Sequence, residues 1–317
     1  MAIQFGNDKI KEIYFGSHKI KEVYHGSELV WSGSDAGLYQ FINNEFVKVA
    51  SGNIEDVSGD GAHGYISDGR LFMRGSNDLG QLGLGFTGAR IEEWTQVGSD
   101  NDWEKILARP WHSAAIKGGK LYATGSGKFG RLGQGNEIDS NVFLQIGSFS
   151  DWVSLAGGDA HTLALRTNGS IYAWGLGSGY RLGTGSAANQ LSPIQIVASG
   201  AIEIASSDHC GAYITKNRRS IITWGSNTDG ISGTTGGSKI TMANLGTSYI
   251  ARSLSIGSKA ILYIRETVSS GVTEIWGRGR NGGYSLLPPG QALEDELISH
   301  RVLDSGKNFE QVVFGVS

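Results

Sequence analysis

Cysteine occurs once in 317 residues, at Cys210. An internal disulfide is therefore excluded, as is a thiolate metal cage, and stability must come from packing. Proline occurs only four times and glycine shows no three-residue period, which excludes a collagen-like chain or a proline-rich linker. Charged residues are scarce at 18%, and the net charge of −3 offers no positive excess for a phosphate backbone, so nucleic acid is not an expected partner. No apolar run approaches the ~18 residues of a membrane span, so membrane insertion is not expected. The opening MAIQFGNDKIKE also lacks a signal-peptide core, which gives the expectation of cytoplasmic synthesis.

Glycine, by contrast, is abundant. Its 49 copies are about twice the usual ~7%. With 39% hydrophobic and 9% aromatic residues, the composition describes a globular, turn-rich chain. Length alone suggests about two domains of ~150 residues, although large all-β domains break that rule.

The glycines are periodic. Strand-like segments end at Gly75, Gly125, Gly175 and Gly225 (LFMRG, LYATG, IYAWG, IITWG), each 50 residues after the last, and TEIWG ends at Gly277. The loops that follow keep Leu82, Leu132 and Leu182 in register, each before a glycine (Gly83, Gly133, Gly183), while the fourth copy has Ser232. Upstream lies a second strand (AHGYIS, WHSAAI, AHTLAL, DHCGAYI), joined by a tight turn such as SDGR, KGGK or TNGS. WEKILA, WVSLAGG and FEQVVFG supply an inner strand, and TQVG, LQIG and IQIV an outer one. Four short strands per unit of about 50 residues predict an all-β fold, a β-propeller of four-stranded antiparallel blades. Pairing FEQVVFGVS (309–317) with the hairpin GLYQFINNEFVKVA (37–50) would close the ring, which favours six blades and leaves seven open. Spacing is irregular over 226–250 and 278–300.

DWVSLAGGDAHTLALRTNGSIYAWGLGSGYRLGTG (151–185) resembles a unit of the regulator-of-chromosome-condensation repeat family, which implies the same propeller. The resemblance spans about 37–317 and weakens after 205, where Lys259 replaces a histidine. It speaks to fold more than function.

Residues 5–31 carry a different repeat with a period of ten: FGNDKIKEIY, FGSHKIKEVY, HGSELVW. The expected division is a docking segment at 1–33 and a propeller at 34–317. Ile10, Ile13, Tyr14, Ile20, Val23, Tyr24, Val30 and Trp31 are the expected docking side chains, because so short a segment owns no core. The segment resembles leader repeats that open tail proteins of bacteriophages and prophages. That resemblance implies a noncatalytic, tail-associated virion protein, located in the virion, docking on other tail proteins and displaying the propeller to recognise a host-surface glycan or protein or to decorate the particle. The alternatives are an intracellular protein-binding propeller, GTPase regulation included, and a glycan-cleaving tail enzyme. Self-association through the leader is left open.

No catalytic residue, metal site or cofactor is expected. GxSxG is absent, and Cys210 neighbours His209 in a strand where adjacent side chains face opposite ways. Glycine strings lack a phosphate-loop ending, and acidic pairs such as Glu92 with Glu93 or Glu294 with Asp295 read as solvated surface. His63, His112, His161 and His209 recur at steps of 49, 49 and 48 and read as structural groups bonded to neighbouring strands. Trp103, Trp152, Phe309, Trp174, Trp224 and Trp276 read as core. Trp94, Trp111, Tyr180 and Tyr284 fall outside that periodicity and are the candidates for ligand contact.

Overall fold

The computed structural model describes residues 13–15, 18–20, 22–25, 28–32, 37–42, 45–51, 54–226, 239–256, 260–270, 273–279 and 298–303. Two leader hairpins come first: β1 (Ile13–Phe15) with β2 (His18–Ile20), and β3 (Glu22–His25) with β4 (Glu28–Ser32). Their registers set Ile13 opposite Ile20 and Val23 opposite Trp31. A third hairpin joins β5 (Gly37–Ile42) to β6 (Glu45–Ser51).

Five four-stranded antiparallel meanders follow. The first contains β7 (Ile54–Asp60), β8 (Ala62–Ser67), β9 (Arg70–Asn77) and β10 (Gly88–Gln96). The second contains β11 (Trp103–Ala108), β12 (His112–Lys117), β13 (Lys120–Gly125) and β14 (Ser140–Gln145). The third contains β15 (Trp152–Gly158), β16 (His161–Arg166), β17 (Ile171–Gly175) and β18 (Gln190–Val197). The fourth contains β19 (Ala201–Ser206), β20 (Cys210–Thr215), β21 (Ser220–Gly225) and β22 (Ile240–Asn244). The fifth contains β23 (Tyr249–Ile256), β24 (Ala260–Thr267), β25 (Thr273–Gly279) and β26 (Ile298–Leu303). Among the described residues the only helical pieces are two short 3-10 turns, at Lys128–Gly130 and Ser178–Tyr180. The expected strand types and their order inside each sheet are present, as in a propeller. The expected closing strand at 309–317 lies outside the described residues, and so does the blade count that depends on it.

The sheets are joined side to side, since first strands of consecutive sheets lie against each other: β7 on β11, β11 on β15, β15 on β19 and β19 on β23. Apolar clusters bridge every boundary. Leu107 and Leu132 of the second sheet, for example, pack with Trp152 and Trp174 of the third, all buried. Trp103, Trp152, Trp174 and Trp224 are core, as expected, while Trp276 is half-buried beneath the Arg265 guanidinium.

The Leu-Gly element after the third strand of the first three sheets explains how each of them seats on the next. Leu82, Leu132 and Leu182 have no exposed surface. The Arg131 carbonyl accepts a 2.9 Å hydrogen bond from Trp174 Nε1, and the Arg181 carbonyl one of 2.8 Å from Trp224 Nε1. Gly133 and Gly183 adopt φ of 68° and 67°, and a Cβ on either would stand within 3.1 and 2.8 Å of the same indole nitrogens. Only glycine satisfies both the conformation and the close approach. At the first boundary Thr124 stands in the register position of the tryptophans, and the Phe143 ring closes on Gly83 instead.

Carboxylates near the inner strands make a second kind of joint. Asp56 Oδ2 accepts the Ile106 amide at 2.7 Å, with Lys105 Nζ 3.8 Å from its other oxygen. Glu203 Oε1 accepts the Leu254 amide at 2.7 Å and the Ser253 hydroxyl at 3.3 Å. Burial drives the Glu203 carboxyl up to about 7, opposed by the Leu254 and Ser253 hydrogen bonds and by Arg218.

Two outcomes follow from these joints. Trp174→Phe removes the donor and part of a fully buried indole, stranding the Arg131 carbonyl and leaving a cavity, so thermal or urea unfolding should show a loss of about 2–4 kcal/mol. An unchanged midpoint would mean that the bond carries nothing. For Glu203, a folded-state value above the unfolded one means that the folded protein holds the proton more tightly. Its contribution is complete below the unfolded value near 4.5 and is lost as pH rises through about 7. Glu203→Gln, whose amide oxygen still accepts from Leu254, should gain stability relative to the parent between pH 5 and pH 8, by no more than about 3 kcal/mol. Parallel pH profiles for the two proteins would refute this.

Candidate functional site

In a four-stranded meander the first-to-second and third-to-fourth connections emerge at one end, so Gly61, Arg109–Trp111, Asp159–Ala160 and Ser207–His209 share an end with the long loops 78–87, 126–139 and 176–189. That end carries three of the most exposed large apolar side chains of the described residues: Ile138 at 72%, Phe86 at 48% and Trp111 at 44%. Between the first exit loop and the start of β14 lies an open cleft of about 320 Å³, lined by Asp78, Leu79, Thr87, Asp139, Ser140 and Asn141.

Two aromatic residues on this end sit in the left-handed backbone region. The turn 127–130 closes through the Gly130 amide on the Gly127 carbonyl at 2.8 Å, with Phe129 at φ 64° and Gly130 at φ 76°. The turn 177–180 closes through the Tyr180 amide on the Gly177 carbonyl at 3.0 Å, with Gly179 at φ 68° and Tyr180 at φ 59°. The third and fourth positions of each turn thus take left-handed backbone, and each copy fills one of them with an aromatic that is uncommon there. Phe129 is held by its amide on Glu137 Oε1 at 2.9 Å, with Lys128 Nζ 4.9 Å and Arg131 Cζ 5.5 Å from its ring centre.

Beneath the loops runs a network of charged groups around the buried Arg131, with Arg109, Asp159, Arg181 and Asp208 half-buried. Arg131 is 5% exposed; burial lowers its pKa, and Asp139 and Asp159 oppose the shift. Burial likewise lowers that of Arg181, with Asp208 and Asp159 opposing. Arg109 donates to the Gly157 carbonyl, and Asp208 Oδ1 accepts the Asp159 amide at 2.9 Å, each across a sheet boundary. These contacts hold loops in place.

The four histidines do not form one ring. Strand register puts His112 opposite Gly125 and His161 opposite Gly175, but Ala62 opposite Gly75 and Cys210 opposite Gly225. His63 and His209 are therefore each displaced by one residue, and a one-residue displacement reverses the face. His112 and His161 are fully buried and bond across the boundary, Nε2 to Thr162 Oγ1 and to Ser206 Oγ, both at 2.9 Å. Burial, then Arg131 and Arg109, push His112 down to about 3, while burial and Arg181 hold His161 well below its ordinary value, so both are neutral at pH 7. His209 is exposed and occupies the position equivalent to Trp111. Cys210 is buried with Sγ 3.1 Å from Ser207 Oγ. Among the described residues no group of three or more His, Cys, Asp and Glu side chains could hold a metal ion.

Of the four aromatic candidates, Trp111 and Tyr180 share this end. Trp94 lies on β10, edge-on to Tyr65 at 4.7 Å and under the Arg74 guanidinium at 4.5 Å, away from the loops. Tyr284 lies outside the described residues, as does Ile10. Ile13, Tyr14, Ile20, Val23, Tyr24, Val30 and Trp31 lie in the leader hairpins. Ligand recognition is expected of the irregular segments 178–192, 226–250 and 278–300; the first starts at this end, and 227–238 of the second and 280–297 of the third lie outside the described residues. Phe129, Arg131 and Arg181 were missed by the spacing argument. Their signal was a large side chain in the glycine-demanding turns KFGR and GYR.

Comparison with known proteins comes back to the repeat. Residues 118–165 and 168–215 each match the Regulator of chromosome condensation (RCC1) repeat, and a second model of that repeat matches 152–180. The chain is 32% identical over 161 residues to a bifunctional serine/threonine-protein kinase/NEDD4-like E3 ubiquitin-protein ligase of Dictyostelium discoideum, which involves 44% of this chain and 8% of that protein. It is 28% identical over 170 residues to the ultraviolet-B receptor UVR8 of Arabidopsis thaliana (51% and 38%), and 32% identical over 171 residues to the X-linked retinitis pigmentosa GTPase regulator homolog of Caenorhabditis elegans (51% and 12%). The match thus spans well under half the length of each of these relatives. Among solved structures, human WBSCR16 superposes with a TM-score of 0.64 at 17% identity, covering 80% of this chain and 68% of that one. Prp20p of Saccharomyces cerevisiae, described with its binding to Gsp1p and histones, superposes at 0.61 and 21%, covering 75% and 60%. These likenesses establish the fold.

The strained turn yields a direct check. Tyr180→Asn places a residue tolerant of left-handed backbone at φ 59°, and should raise stability by about 0.5–1 kcal/mol in thermal unfolding. A loss would mean that Tyr180 is kept for packing.

Proposed function

We propose that this chain is a noncatalytic protein-recognition propeller that binds its partner on the loop end carrying Trp111, Phe129, Tyr180, Phe86 and Ile138. The observation that carries the reading is the division of labour at that end. Its buried and half-buried charges are engaged in fixing loops, whereas its large apolar groups are exposed or held in unfavourable backbone, where strain accompanies function. A broad surface with an open cleft suits a macromolecule better than a small substrate, which would occupy a more enclosed apolar pocket. The names of the relatives support the direction, since a GTPase regulator homolog and Prp20p, described with Gsp1p and histones, carry similar repeats. GTPase regulation is the finer form of this reading, and nucleotide-release assays address it.

The test is quantitative capture with the full chain as bait, beside a Trp111→Glu, Phe86→Glu variant. Both side chains are exposed, so the variant should keep its unfolding midpoint and lose partners roughly tenfold or more, as aromatic anchors usually carry at least ~2 kcal/mol of binding. Equal capture by both proteins would place binding elsewhere.

The leader favours a second reading. Its period of ten forms hairpins β1–β2 and β3–β4, which stand as two-stranded sheets of their own, and it resembles the openings of phage tail proteins. In that reading the propeller rides on a virion, docked by residues 1–33 to other tail proteins, with a host-surface glycan or protein as its ligand. Antibody labelling of purified particles should then mark the tail. Labelling confined to cell lysate would leave only the first reading.

A further inference from the structure

Charge is unevenly divided along the chain. Residues 209–265 carry seven lysines and arginines against one acid, Asp229, a surplus of six in a protein whose net charge is −3. The remainder is therefore strongly acidic. Lys216, Arg218 and Arg219 stand together on the turn between β20 and β21. Second-to-third connections of a meander emerge at the end opposite Trp111 and Tyr180.

This turn departs from its counterparts in two ways. It is one residue longer than the β16–β17 turn, since Leu165 pairs with Ile171 but Ile214 with Ile221. It also places an arginine where the others have glycine. The carbonyls of Gly69, Gly119, Gly169 and Arg218 accept the amides of Trp103, Trp152, Ala201 and Ala251, the same joint at four successive boundaries. All four residues have positive φ, of 68°, 69°, 80° and 58°. At the three glycines a Cβ would collide with the main chain of the loop that enters the next sheet. A large side chain in left-handed backbone is uncommon, and such outliers concentrate at binding sites.

The three cations are held in place without being neutralised. Arg218 Nη1 donates to the Ala251 carbonyl at 3.2 Å, and Arg219 Nη1 to the Gly246 and Tyr249 carbonyls at 3.2 and 2.9 Å. Carbonyls orient a guanidinium and leave its charge and its remaining N–H groups for a ligand. Lys216 is exposed. Among the described residues none of the three forms an ion pair. Glu203, whose ionised form Arg218 favours, is committed to the Leu254 amide and the Ser253 hydroxyl, and Glu266 is committed to Arg252. The turn itself is tied down: Asn217 Oδ1 accepts the Thr215 hydroxyl at 2.8 Å and the Arg219 amide at 2.9 Å, and Thr215 Oγ1 accepts the Ser220 amide at 3.1 Å. Cations fixed in this way are preorganised for an anion.

The anion that fits is short. A long polyanion such as nucleic acid would run from the turn onto the acidic remainder and be repelled, whereas a run of aspartate and glutamate can end where the cations end. Arginine forks also match carboxylates two bonds at a time.

We propose that the Lys216–Arg219 turn docks an acidic polypeptide segment of a partner protein. The site lies at the other end of the sheets from the loop-end surface and does not rest on that reading.

Fluorescence anisotropy of the full-length protein with a labelled peptide of alternating glutamate and aspartate tests it. The parent should bind at about 1–100 μM and more weakly as salt is raised. Lys216→Glu reverses an exposed charge and should lower the affinity about tenfold or more at an unchanged unfolding midpoint. Arg218→Gly removes a cation and restores the residue that left-handed backbone prefers, so it should weaken binding without lowering the midpoint; if it does lower it, Lys216→Glu decides. Lys120→Glu, an exposed lysine on the equivalent turn of the second sheet, should bind as the parent does. Four results overturn the proposal: a parent that binds no peptide, equal binding by Lys216→Glu, an equal loss in Lys120→Glu, or tighter binding of a DNA duplex of the same charge as the peptide.

Discussion

The arrangement of this protein depends on the way the chain leaves the third strand of the first three sheets and seats on the sheet that follows. A buried leucine, a glycine at positive φ and a carbonyl aimed at the next sheet's tryptophan act together at the Arg131–Gly133 and Arg181–Gly183 loops. A single meander has two faces and cannot bury both, so the sheet-to-sheet contact supplies the core that each sheet lacks. The fully buried His112 and His161 extend the same contact with polar groups, and their neutrality follows from where they are put.

The sequence repeat and the sheet are out of step by two strands, and that offset has physical meaning. A repeat such as 118–165 begins at the turn before β13 and ends in β16, so each copy contributes half of two neighbouring sheets. Covalent continuity thereby reinforces every boundary. With the boundaries fixed, the loops at one end are free to carry exposed aromatics, and the outer strands are free to differ, as charged β10 and uncharged β14 and β18 do. The residues that couple the sheets and those exposed at the loop end are different residues, the arrangement expected where loops are held by a rigid frame.

Much of this was legible in the chain. The step of 50 and the period-2 segments give the strands, their order and the wedging role of Trp174 and Trp224, because steric demands on glycine and large apolar groups repeat with the structure. The histidines show where spacing misleads. Steps of 49, 49 and 48 conceal a one-residue difference in strand register, which spacing does not resolve and which sends His209 to the surface while Cys210 takes the buried place. Phe129 and Tyr180 were illegible as a pair because they occupy alternate positions of the same turn, so alignment by 50 sets each against a glycine. The role of Glu203 rests on a contact 51 residues away, and the burial that raises its pKa leaves no local mark in the sequence. Trp94 shows the converse: its lack of periodicity came from an outer strand of irregular register.

The central claim is that the leucine-glycine exit loop couples neighbouring sheets. Hydrogen–deuterium exchange on the full-length protein carrying Leu132→Ala, read by mass spectrometry peptide by peptide, tests it most directly. The account requires protection to fall in peptides of both the second sheet (103–145) and the third (152–197). Loss confined to the second sheet, with β15 to β18 protected as in the parent, would contradict it.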